Sequence, residues 1–554
     1  MSSIRLMLAL VVTFTPVALV AQKQAVDYDI SFPNAAQHEA VVTAVFRGVP
    51  AGSTLHARMA RSSPGRYSIS IFAKNVYDVA AFNGRRNPVK LTHPDPNGWD
   101  VTGHDGTVRL TYKVWGDRTD GTYLSIDHAH AHLNIPATFA FARGMESAPI
   151  RLTIHPRTGW KVATQLVPTA DPNVFTAPNF QWFRDSPTEV GPVTFRSWTE
   201  THSGKPVTWR LAVHHLGTDA QVDSFATMAR AVVDEEIAMW GEPAGYDFGN
   251  YTFLIDYLPW ASGDGMEHRN STVISDADSI SDRAHRLSAL GTLSHEFFHS
   301  WNMERLRSKG IEPFDFERED MSEDLWFGEG FTNYYGPLML RRAGFYDNDV
   351  FLEDMGSAVV GTINSSTRRH NSPVGMSLQA PFYDGATYRD PTARAVTFLS
   401  YYTWGSVVAM GLDLTLRSQY GLSLDDYMRA LWRDYGSHQN AALAPEKPYT
   451  HDDLRLELAK LTKDSAFANN YFRRYIDGRE VPDFAKLLPN AGFLLKTDSI
   501  ETPWLGASLD NDTARVFVNW SAEGSSMYNA GMASGDFVYA VDGIPVPTID
   551  SLVA

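Results

Sequence analysis

The sequence has no cysteine among its 554 residues. Disulfide bonds therefore contribute nothing to its stability, and thiolate ligands are excluded from any metal site. A metal ion in this protein would have to be held by histidine, aspartate and glutamate side chains.

Positive charge is also scarce. The chain carries 48 Lys and Arg against 64 Asp and Glu, which gives a formal net charge of −16. Because nucleic-acid binding needs a basic surface that neutralises phosphates, this balance argues against a nucleic-acid partner. Low-complexity tracts and internal repeats are missing as well, and a hydrophobic content of 44% is that of a globular protein. A chain of this length is expected to form two to four domains.

A long membrane-spanning run is lacking too. The apolar residues 6–21 follow a short positively charged start. They number about 16, fewer than the roughly 20 that a membrane span needs, and Pro16 interrupts them. This layout predicts a signal peptide, residues 1–21, cleaved after Ala21, and not a retained membrane anchor. The sequence therefore predicts export, to a bacterial periplasm or beyond the cell.

Short alternating segments run from residue 28 to about residue 198. Apolar and polar residues alternate in 40–46, 106–114 and 150–154, and turn residues separate such segments, as in 94–98. The pattern predicts an N-terminal β-sandwich domain, residues 22–200. The polar stretch 200–205 is expected to be a hinge.

The pattern changes from residue 206 to residue 487. A strand-like segment, 251–258, is followed by helical periodicity from about Asp282, which continues in 406–420. These features predict an α+β domain, and so a multidomain α+β protein. Beyond residue 490 short strand-like segments and glycine-containing turns return.

The clearest chemistry lies in His295-Glu-Phe-Phe-His299. Positions four apart share a face of a helix, so His295 and His299 can reach one ion. Glu296 beside them can take a proton from water that zinc has made more acidic. The motif predicts a zinc site for hydrolysis; the alternative is a helix with two surface histidines and a glutamate.

A zinc site of this kind needs a third ligand. A histidine six residues after His299 is excluded, since Arg305 stands there. Glu329 is the best candidate, on a following helix, and Asn333 one turn later could orient a ligand histidine. Other glutamates compete on composition alone: Glu304, Glu312, Glu317, Glu319 and Glu323.

Four segments together resemble the glycyl aminopeptidase family of zinc metallopeptidases. They are Gly265-Met-Glu-His-Arg-Asn-Ser271, His295-Glu-Phe-Phe-His-Ser-Trp-Asn302, Trp326-Phe-Gly-Glu-Gly-Phe-Thr332 and Ser400-Tyr-Tyr-Thr-Trp-Gly405. The resemblance implies an N-terminal β domain, a thermolysin-like α+β peptidase domain (residues 206–487) and a C-terminal PDZ domain. It also implies one Zn²⁺ per chain, held by His295, His299 and Glu329. One departure is a longer separation of His299 from Glu329 than in the related large aminopeptidases, which a loop over 305–323 would accommodate.

The resemblance also implies where a substrate binds. In the large aminopeptidases a Gly-x-Met-Glu segment lines the cleft, and its glutamate binds the free ammonium of the substrate. Here Gly265, Met266 and Glu267 match that segment, and Asp264 stands in the place of its first glycine. A carboxylate fixed one residue away from the zinc selects free amino ends, because a mid-chain peptide would leave it unpaired.

Tyr402 resembles the tyrosine that such enzymes place near the carbonyl oxygen, where a donor stabilises the oxyanion. Its neighbour Tyr401 is the rival. The implied function is an exported aminopeptidase that removes an N-terminal glycine, or alanine, from peptides with a free amino end. A zinc endopeptidase and a catalytically dead, secreted peptide-binding protein are the alternatives.

A second histidine cluster is His128-Ala-His-Ala-His132, preceded by Asp127. The alternation places three histidines on one face of a predicted strand. They could hold a second metal ion, but the favoured interpretation is a satisfied polar face near the domain junction.

The end of the sequence resembles a bacterial PDZ domain in segments 504–509 and 530–543. Such modules bind the carboxyl ends of peptides along a sheet edge, which makes peptide or protein C-termini candidate partners. The PDZ-like region, residues 495–554, is expected to be incomplete, because its last helix and strands are not present.

Overall fold

The computed structural model of the protein describes residues 23–277, 280–384, 393–496, 504–511 and 515–553. The predicted signal peptide lies outside the described residues. From residue 25 to residue 191 the chain forms mainly strands: β1 (Ala25–Asn34), β2 (Glu39–Arg47), β3 (Leu55–Arg58), β4 (Val76–Asn83), β5 (Lys90–Asp95), β6 (Gly98–Thr102), β7 (Thr107–Trp115), β8 (Ser125–Ile126), β9 (Ala131–Leu133), β10 (Phe141–Ala142), β11 (Ile150–His155), β12 (Lys161–Thr164), β13 (Val167–Pro168), β14 (Val174–Ala177) and β15 (Thr188–Gly191). Two short helices interrupt them: α1 (Ile135–Thr138) and α2 (Phe180–Arg184).

The strands form where apolar and polar residues alternate, as predicted. Along β2 the side chains of Ala40, Val42 and Ala44 are buried, while Val41 and Thr43 between them are partly exposed. A seven-stranded sheet has the order β13-β14-β11-β1-β2-β7-β4. Two four-stranded sheets have the orders β10-β3-β6-β5 and β12-β15-β9-β8. One apolar core joins side chains from these sheets, so the N-terminal part is β-rich, as expected.

A five-stranded sheet follows. Its strands are β16 (Thr194–His202), β17 (Lys205–His215), β18 (Asn250–Tyr257), β19 (Asp264–His268) and β20 (Ser271–Asp276), in the order β16-β17-β18-β20-β19. The expected hinge at 200–205 is wrong. β16 and β17 pair antiparallel from Thr194↔Val213 to His202↔Lys205, so the polar stretch ends a hairpin. Its polarity belongs to an exposed hairpin end, where side chains face water.

The helices that follow pack against this sheet and against one another. They are α3 (Asp219–Trp240), α4 (Arg283–Phe298), α5 (Leu325–Arg342), α6 (Asn348–Asn364), α7 (Pro373–Leu378), α8 (Ala380–Tyr383), α9 (Arg394–Thr397), α10 (Tyr401–Thr415), α11 (Leu424–Leu431), α12 (His451–Thr462), α13 (Ser465–Tyr471) and α14 (Phe484–Leu487). Short 3₁₀ segments are Ala35–Gln37, Phe72–Asn75, Lys309–Ile311, Ser366–Arg369 and Leu488–Ala491, and π segments are Leu416–Tyr420, Trp432–Gly436 and Phe472–Ile476.

Helix α4 carries the predicted zinc motif. It begins after Asp282, whose carboxylate accepts the backbone N–H of His285 at 3.0 Å and so satisfies a free donor of the first turn. Near its other end, the ring of Phe297 packs edge-on against Tyr251 of β18, with 5.1 Å between centroids. The sheet therefore supports the helix on the side of Phe297.

A loop connects α4 to α5, as the polar sequence 305–323 predicts. It also contacts the N-terminal part. The ring of Phe316 lies 5.0 Å from that of Phe180 and 5.7 Å from that of Phe141. The carbonyl oxygen of Asp315 accepts the hydroxyl of Ser62 at 2.6 Å. The loop therefore fastens the β-rich part to the helical part beside the zinc motif.

The C-terminal residues form small sheets. A three-stranded sheet contains β21 (Ala507–Asn511), β22 (Val516–Ser521) and β23 (Phe537–Val538), and a two-stranded sheet contains β24 (Ala540–Val541) and β25 (Ile544–Pro545). Two short helices, α15 (Ser526–Asn529) and α16 (Ile549–Val553), accompany them. Within the described ranges no helix has the length and apolar character needed to cross a membrane.

Candidate metal centre and its surroundings

Three side chains converge at the end of α4. His295 lies in its last turn, His299 directly follows it, and Glu329 comes from α5. The Nε2 atoms of the two histidines are 3.0 Å apart. Oε2 of Glu329 lies 3.2 Å from Nε2 of His299 and 3.5 Å from Nε2 of His295. The structure thus brings together the three residues that the sequence predicts as ligands.

These separations fit one tetrahedral ion. Zinc binds histidine nitrogen and carboxylate oxygen at about 2.0–2.2 Å, so donors on neighbouring corners lie about 3.3 Å apart. The observed separations of 3.0, 3.2 and 3.5 Å lie around that value. Three protein donors leave one corner for a reactant, as catalytic zinc sites do.

The charges at this point also suit a cation. Burial opposes a charged His299, but the Glu329 carboxylate raises the pKa of His299 to about 10. Burial likewise opposes a charged Glu329, yet the two histidines hold the pKa of its carboxyl well below the ordinary range. Glu329 is therefore a buried anion that draws positive charge to this point.

The Asn302 side chain and backbone fix the orientation of His299. Nδ1 of His299 lies 2.8 Å from the carbonyl oxygen of Asn302 and donates to it, which leaves Nε2 with a free lone pair. The Asn302 amide donates to the carbonyl oxygen of Gly328 at 3.0 Å and to the hydroxyl of Thr332 at 3.1 Å. The turn after α4 is thereby tied to the first turns of α5, which carry Glu329.

Tyr67, from the N-terminal part, also reaches this centre. Its hydroxyl donates to Oε1 of Glu329, the oxygen that does not face the histidines. Its ring is buried and packs edge-on against Tyr401, 6.2 Å between centroids. Sequence reasoning missed Tyr67, and no local signal could have found it, because 262 positions separate it from its partner.

Glu296 lies beside the three donors, where a proton acceptor is needed. Its side chain is buried, and the strand β19 passes so close that a Cβ added at Gly265 would lie 2.2 Å from Oε1 of Glu296. Any side chain at position 265 would displace the carboxylate. Burial raises the pKa of Glu296 well above its ordinary value, although nearby His299 lowers it. A carboxylate with a raised pKa is a stronger base, which is what proton transfer near neutral pH requires.

Glu267 approaches the same centre from β19. Oxygen atoms of Glu267 and Glu296 and a ring nitrogen of His299 lie within 4.8 Å of one another. Burial and the nearby Glu329 raise the pKa of Glu267 to about 7, against the lowering effect of His299. Glu267 is therefore a second buried carboxylate close to the predicted ligands.

Met266 is placed differently. Its side chain is fully buried (0% exposed) and packs in a small apolar cluster. The other members are Ala163, Ala212, Leu254 and Val273. Although alternation along β19 directs Gly265 and Glu267 to the centre, a Cβ added at Gly65 would lie 2.2 Å from Sδ of Met266 and 2.4 Å from Oε2 of Glu267, so the sulfur of Met266 lies next to Glu267.

Tyr402 lies against His295. The two rings are stacked with 6.1 Å between centroids, and the Tyr402 side chain is partly exposed. Tyr401 is buried (4% exposed) against Tyr67. Burial, with the nearby Glu329, raises the pKa of Tyr402 well above its ordinary value, so its hydroxyl keeps its proton and can donate. This placement favours Tyr402 over Tyr401 as a donor to a substrate.

A close helix crossing positions Tyr402. A Cβ added at Gly405 of α10 would lie 2.1 Å from the carbonyl oxygen of Trp326, and one added at Gly330 of α5 would lie 2.4 Å from the Cα of Gly405. Only glycine at both positions allows the two backbones to approach this closely. The crossing brings α10, with Tyr402, and α5, with Glu329, to the same centre.

The competing glutamates are engaged or exposed elsewhere. Glu304 and Glu312 each pair with Arg307, at 2.9 and 2.8 Å. Glu317 pairs with Arg143, and Glu319 and Glu323 are exposed. Asn333 is partly buried and lines a cavity beside His295, with Tyr346, Met355 and Ser406 among the other lining residues.

Asp264, which replaces a glycine of the related segment, has its own partners. Arg66 donates to its carboxylate, and so does the backbone N–H of Gly121, at 2.9 Å. Gly65, next to Arg66, lies so close to β19 that an added Cβ would be 2.4 Å from Oε2 of Glu267. The N-terminal part thus forms a wall of the cleft, which sequence reasoning did not anticipate.

The histidine run 128–132 is not one polar face. His128 is exposed, whereas His130 and His132 are 0% and 1% exposed. His130 stands before β9 and His132 lies within it. Because strand β9 spans only Ala131–Leu133, the expected alternation does not extend over the whole run.

Comparisons with known proteins agree with this arrangement. Residues 27–192 match the model of the peptidase M61 N-terminal domain, and residues 288–408 match that of the M61 glycyl aminopeptidase; together the matches span more than half of the chain. No curated protein sequence matches the chain.

Among solved structures, an aminopeptidase N family protein from Idiomarina loihiensis is 22% identical, with a TM-score of 0.80 over 95% of this chain and 91% of that chain, and shares the fold. An M1 zinc metallopeptidase from Deinococcus radiodurans is 14% identical, with a TM-score of 0.48 over 83% of this chain and 95% of that chain. The chain belongs to the M61 glycyl aminopeptidase family of peptidases.

Proposed function

We propose that the protein is an exported zinc aminopeptidase that hydrolyses the N-terminal peptide bond of peptides with a free amino end. The observation that carries this proposal is the convergence of His295, His299 and Glu329 at the separations of one tetrahedral ion, flanked by two further buried carboxylates. Family membership supports it. The same membership favours glycine, or alanine, as the residue removed, and a panel of aminoacyl reporter substrates with and without chelator measures that preference.

Zinc, when held by these three side chains, would supply an activated water and polarise the scissile carbonyl. The donor set suits it, because histidine nitrogen and carboxylate oxygen are zinc ligands and the chain has no thiolate to offer. His299 and Glu329 are both fixed, by Asn302 and by Tyr67, so the set is held ready for the ion.

The other residues act on the substrate. Glu296 accepts a proton from the attacking water and passes it to the leaving amine. The Tyr402 hydroxyl donates to the carbonyl oxygen as negative charge develops there. Gly265 leaves the room in which the Glu296 carboxylate lies.

Glu267 binds the free ammonium of the substrate in this scheme. Its carboxylate is buried (6% exposed), and a cation bound there would compensate the desolvation that raises its pKa. A substrate whose ammonium occupies Glu267 presents only its first peptide bond to the three donors. This is the reason to favour an aminopeptidase over an endopeptidase, and a complete donor set argues against a dead peptide-binding scaffold.

The finer division of the chain is part of the proposal. We assign a β-sandwich to the N-terminal part, a thermolysin-like fold to the catalytic part and a PDZ-like module to residues 495–554. Peptide C-termini are the partners that such a module would take, and binding of C-terminal peptides to the full chain, measured by fluorescence anisotropy, tests this assignment.

Export follows from the predicted signal peptide. Expression of the full sequence in a Gram-negative host should yield a periplasmic protein that starts at Gln22, as read by N-terminal sequencing. A protein that keeps residues 1–21 and stays with the membrane fraction would contradict cleavage.

The metal assignment predicts that substitutions of Glu296 and Glu329 differ in their effects on zinc content and turnover. Glu296→Gln should retain zinc but lose turnover by roughly a hundredfold to ten-thousandfold, because the ligands survive and the base does not. Glu329→Ala should lose zinc, as measured by elemental analysis. Glu323→Ala is the matched control and should keep both zinc and activity. Full zinc occupancy in Glu329→Ala would show that the third ligand lies elsewhere.

The Tyr402 assignment predicts an effect on turnover alone. Tyr402→Phe removes one hydroxyl donor with almost no change of shape, and loss of such a donor costs roughly a hundredfold or more in kcat with little change in KM. Tyr401→Phe is the control, expected to be nearly normal in steady-state kinetics. The reverse pattern would assign the role to Tyr401.

The Glu267 assignment predicts how the enzyme treats blocked substrates. Acetylating the amino end replaces a charge-assisted pair with a buried, unpaired carboxylate, so kcat/KM should fall by about a hundredfold or more. Glu267→Gln should lower activity on free amino ends and narrow this gap without changing zinc content. Wild-type enzyme that cuts acetylated peptides or internal bonds as fast as free amino ends would leave a zinc endopeptidase as the better description.

A further inference from the structure

A second group of metal-ligand side chains lies where the β-rich part meets the five-stranded sheet. It consists of His130, Glu189, His214 and Asp256, whose ligand atoms all lie within 4.8 Å of one another. None of the four belongs to the centre formed by His295, His299 and Glu329. All four are buried, with exposures between 0% and 3%.

Each of the four residues directs an unsatisfied atom into this group. Nε2 of His130, Oε1 of Glu189, Nδ1 of His214 and Oδ1 of Asp256 are buried and have no hydrogen-bond partner among the described residues. Buried polar atoms are almost always satisfied, so four such atoms in one place need an explanation. Nδ1 of His214 and Oδ1 of Asp256 are 3.5 Å apart, close to the edge length of about 3.3 Å between donors on one zinc ion.

The two carboxylates in this group also indicate that something positively charged lies between them. The carboxylates of Glu189 and Asp256 lie side by side in this group, with their ligand atoms within 4.8 Å of each other. Two buried anions in contact repel unless a cation or a proton lies between them. His132 contacts Glu189 through Nδ1 at 3.3 Å from outside the group, as an orienting residue would.

We propose that His130, Glu189, His214 and Asp256 bind a second zinc ion, with a structural role. Four protein donors close the coordination shell, and two imidazoles with two carboxylates are a donor set that zinc accepts. His130 precedes β9 and Glu189 lies on β15, in the β-rich part, whereas His214 on β17 and Asp256 on β18 belong to the five-stranded sheet. The ion therefore clamps the two parts together.

The clamp has a consequence for the catalytic centre. The β-rich part supplies Tyr67, which contacts Glu329, and Gly65, which lies against Glu267. A fixed junction between the two parts keeps Tyr67 against Glu329 and Gly65 against Glu267. The second ion would thus stabilise the cleft without touching the substrate.

Protons are the alternative occupants. Burial opposes a charged His130, but Asp127, Glu189 and Asp256 raise the pKa of His130 to about 9, so a protonated histidine could balance one carboxylate. A proton network and a metal ion satisfy the same atoms. Metal content separates them.

The test is the zinc content of the purified full-length chain and of matched variants. Wild type should hold two zinc ions per chain, and His214→Gln and Asp256→Asn should each hold one, because each removes a donor with little change of shape. His299→Ala should also hold one, which resides in the second group. His128→Gln, a change at an exposed histidine of the same run, is the control and should hold two.

The outcomes distinguish this proposal from the proposed function. One zinc per wild-type chain with none in His299→Ala would overturn the second site and leave a proton network in its place. One zinc per wild-type chain that His214→Gln removes and His299→Ala keeps would support the second site and contradict the catalytic one. Two ions in wild type, His214→Gln and Asp256→Asn alike would place the second ion elsewhere.

A second measurement avoids variants that fail to fold. Anomalous scattering at the zinc absorption edge from wild-type crystals should give a peak among the four side chains, separate from the peak between His295 and His299. Chelator should lower the Tm of His299→Ala, since that variant keeps only the second ion, and should leave unchanged the Tm of the double variant His299→Ala/Asp256→Asn, which holds neither ion. A crystal with no peak among the four residues would overturn the proposal.

Discussion

Asn302 is the link on which the centre depends. Its backbone carbonyl oxygen accepts from His299, and its side-chain amide donates to Gly328 and Thr332, so one residue orients the histidine that follows α4 and anchors the helix that carries Glu329. Donors that must lie about 3.3 Å apart tolerate little error in the relative position of two helices. The loop between α4 and α5 can be long for that reason, since the register is fixed at its beginning by Asn302 and not by its length.

Contacts between residues at very different separations along the chain meet around Asn302. Helix α4 rests on β18, α5 crosses α10 at two glycines, and the β-rich part brings Tyr67 to Glu329. These contacts bring Glu296, Tyr402 and Tyr67 to the centre. The centre is therefore a product of the whole assembly, although its ligands come from two neighbouring helices.

The range of these contacts decides how much the sequence could predict. The spacing of His295 and His299 is a property of one helix, and the strands β2, β7 and β11 follow from local alternation, so these were predictable. Strand β18 is buried along almost its whole length and follows instead from a short strand-like segment. Glu329 needed the resemblance, since five other glutamates compete on composition. The contacts of Tyr67 and Gly65, and the pairing of His130 with His214, join residues far apart in the chain, where periodicity carries no information.

Polarity was misleading at 200–205, because an exposed hairpin end and a hinge have the same composition. Arg305 served only to exclude a histidine, yet it is buried and donates to the carbonyl oxygens of Arg269 and Ser300.

The contact between Tyr67 and Glu329 has a consequence for which parts of the chain the centre needs. The two residues stand 262 positions apart, so the contact exists only when the β-rich part is docked against the helices. Without that docking, Glu329 lacks its hydroxyl partner and the cleft lacks one wall. The helices alone would therefore hold an incomplete centre, and the β-rich part is as necessary to it as the two helices that carry its predicted ligands.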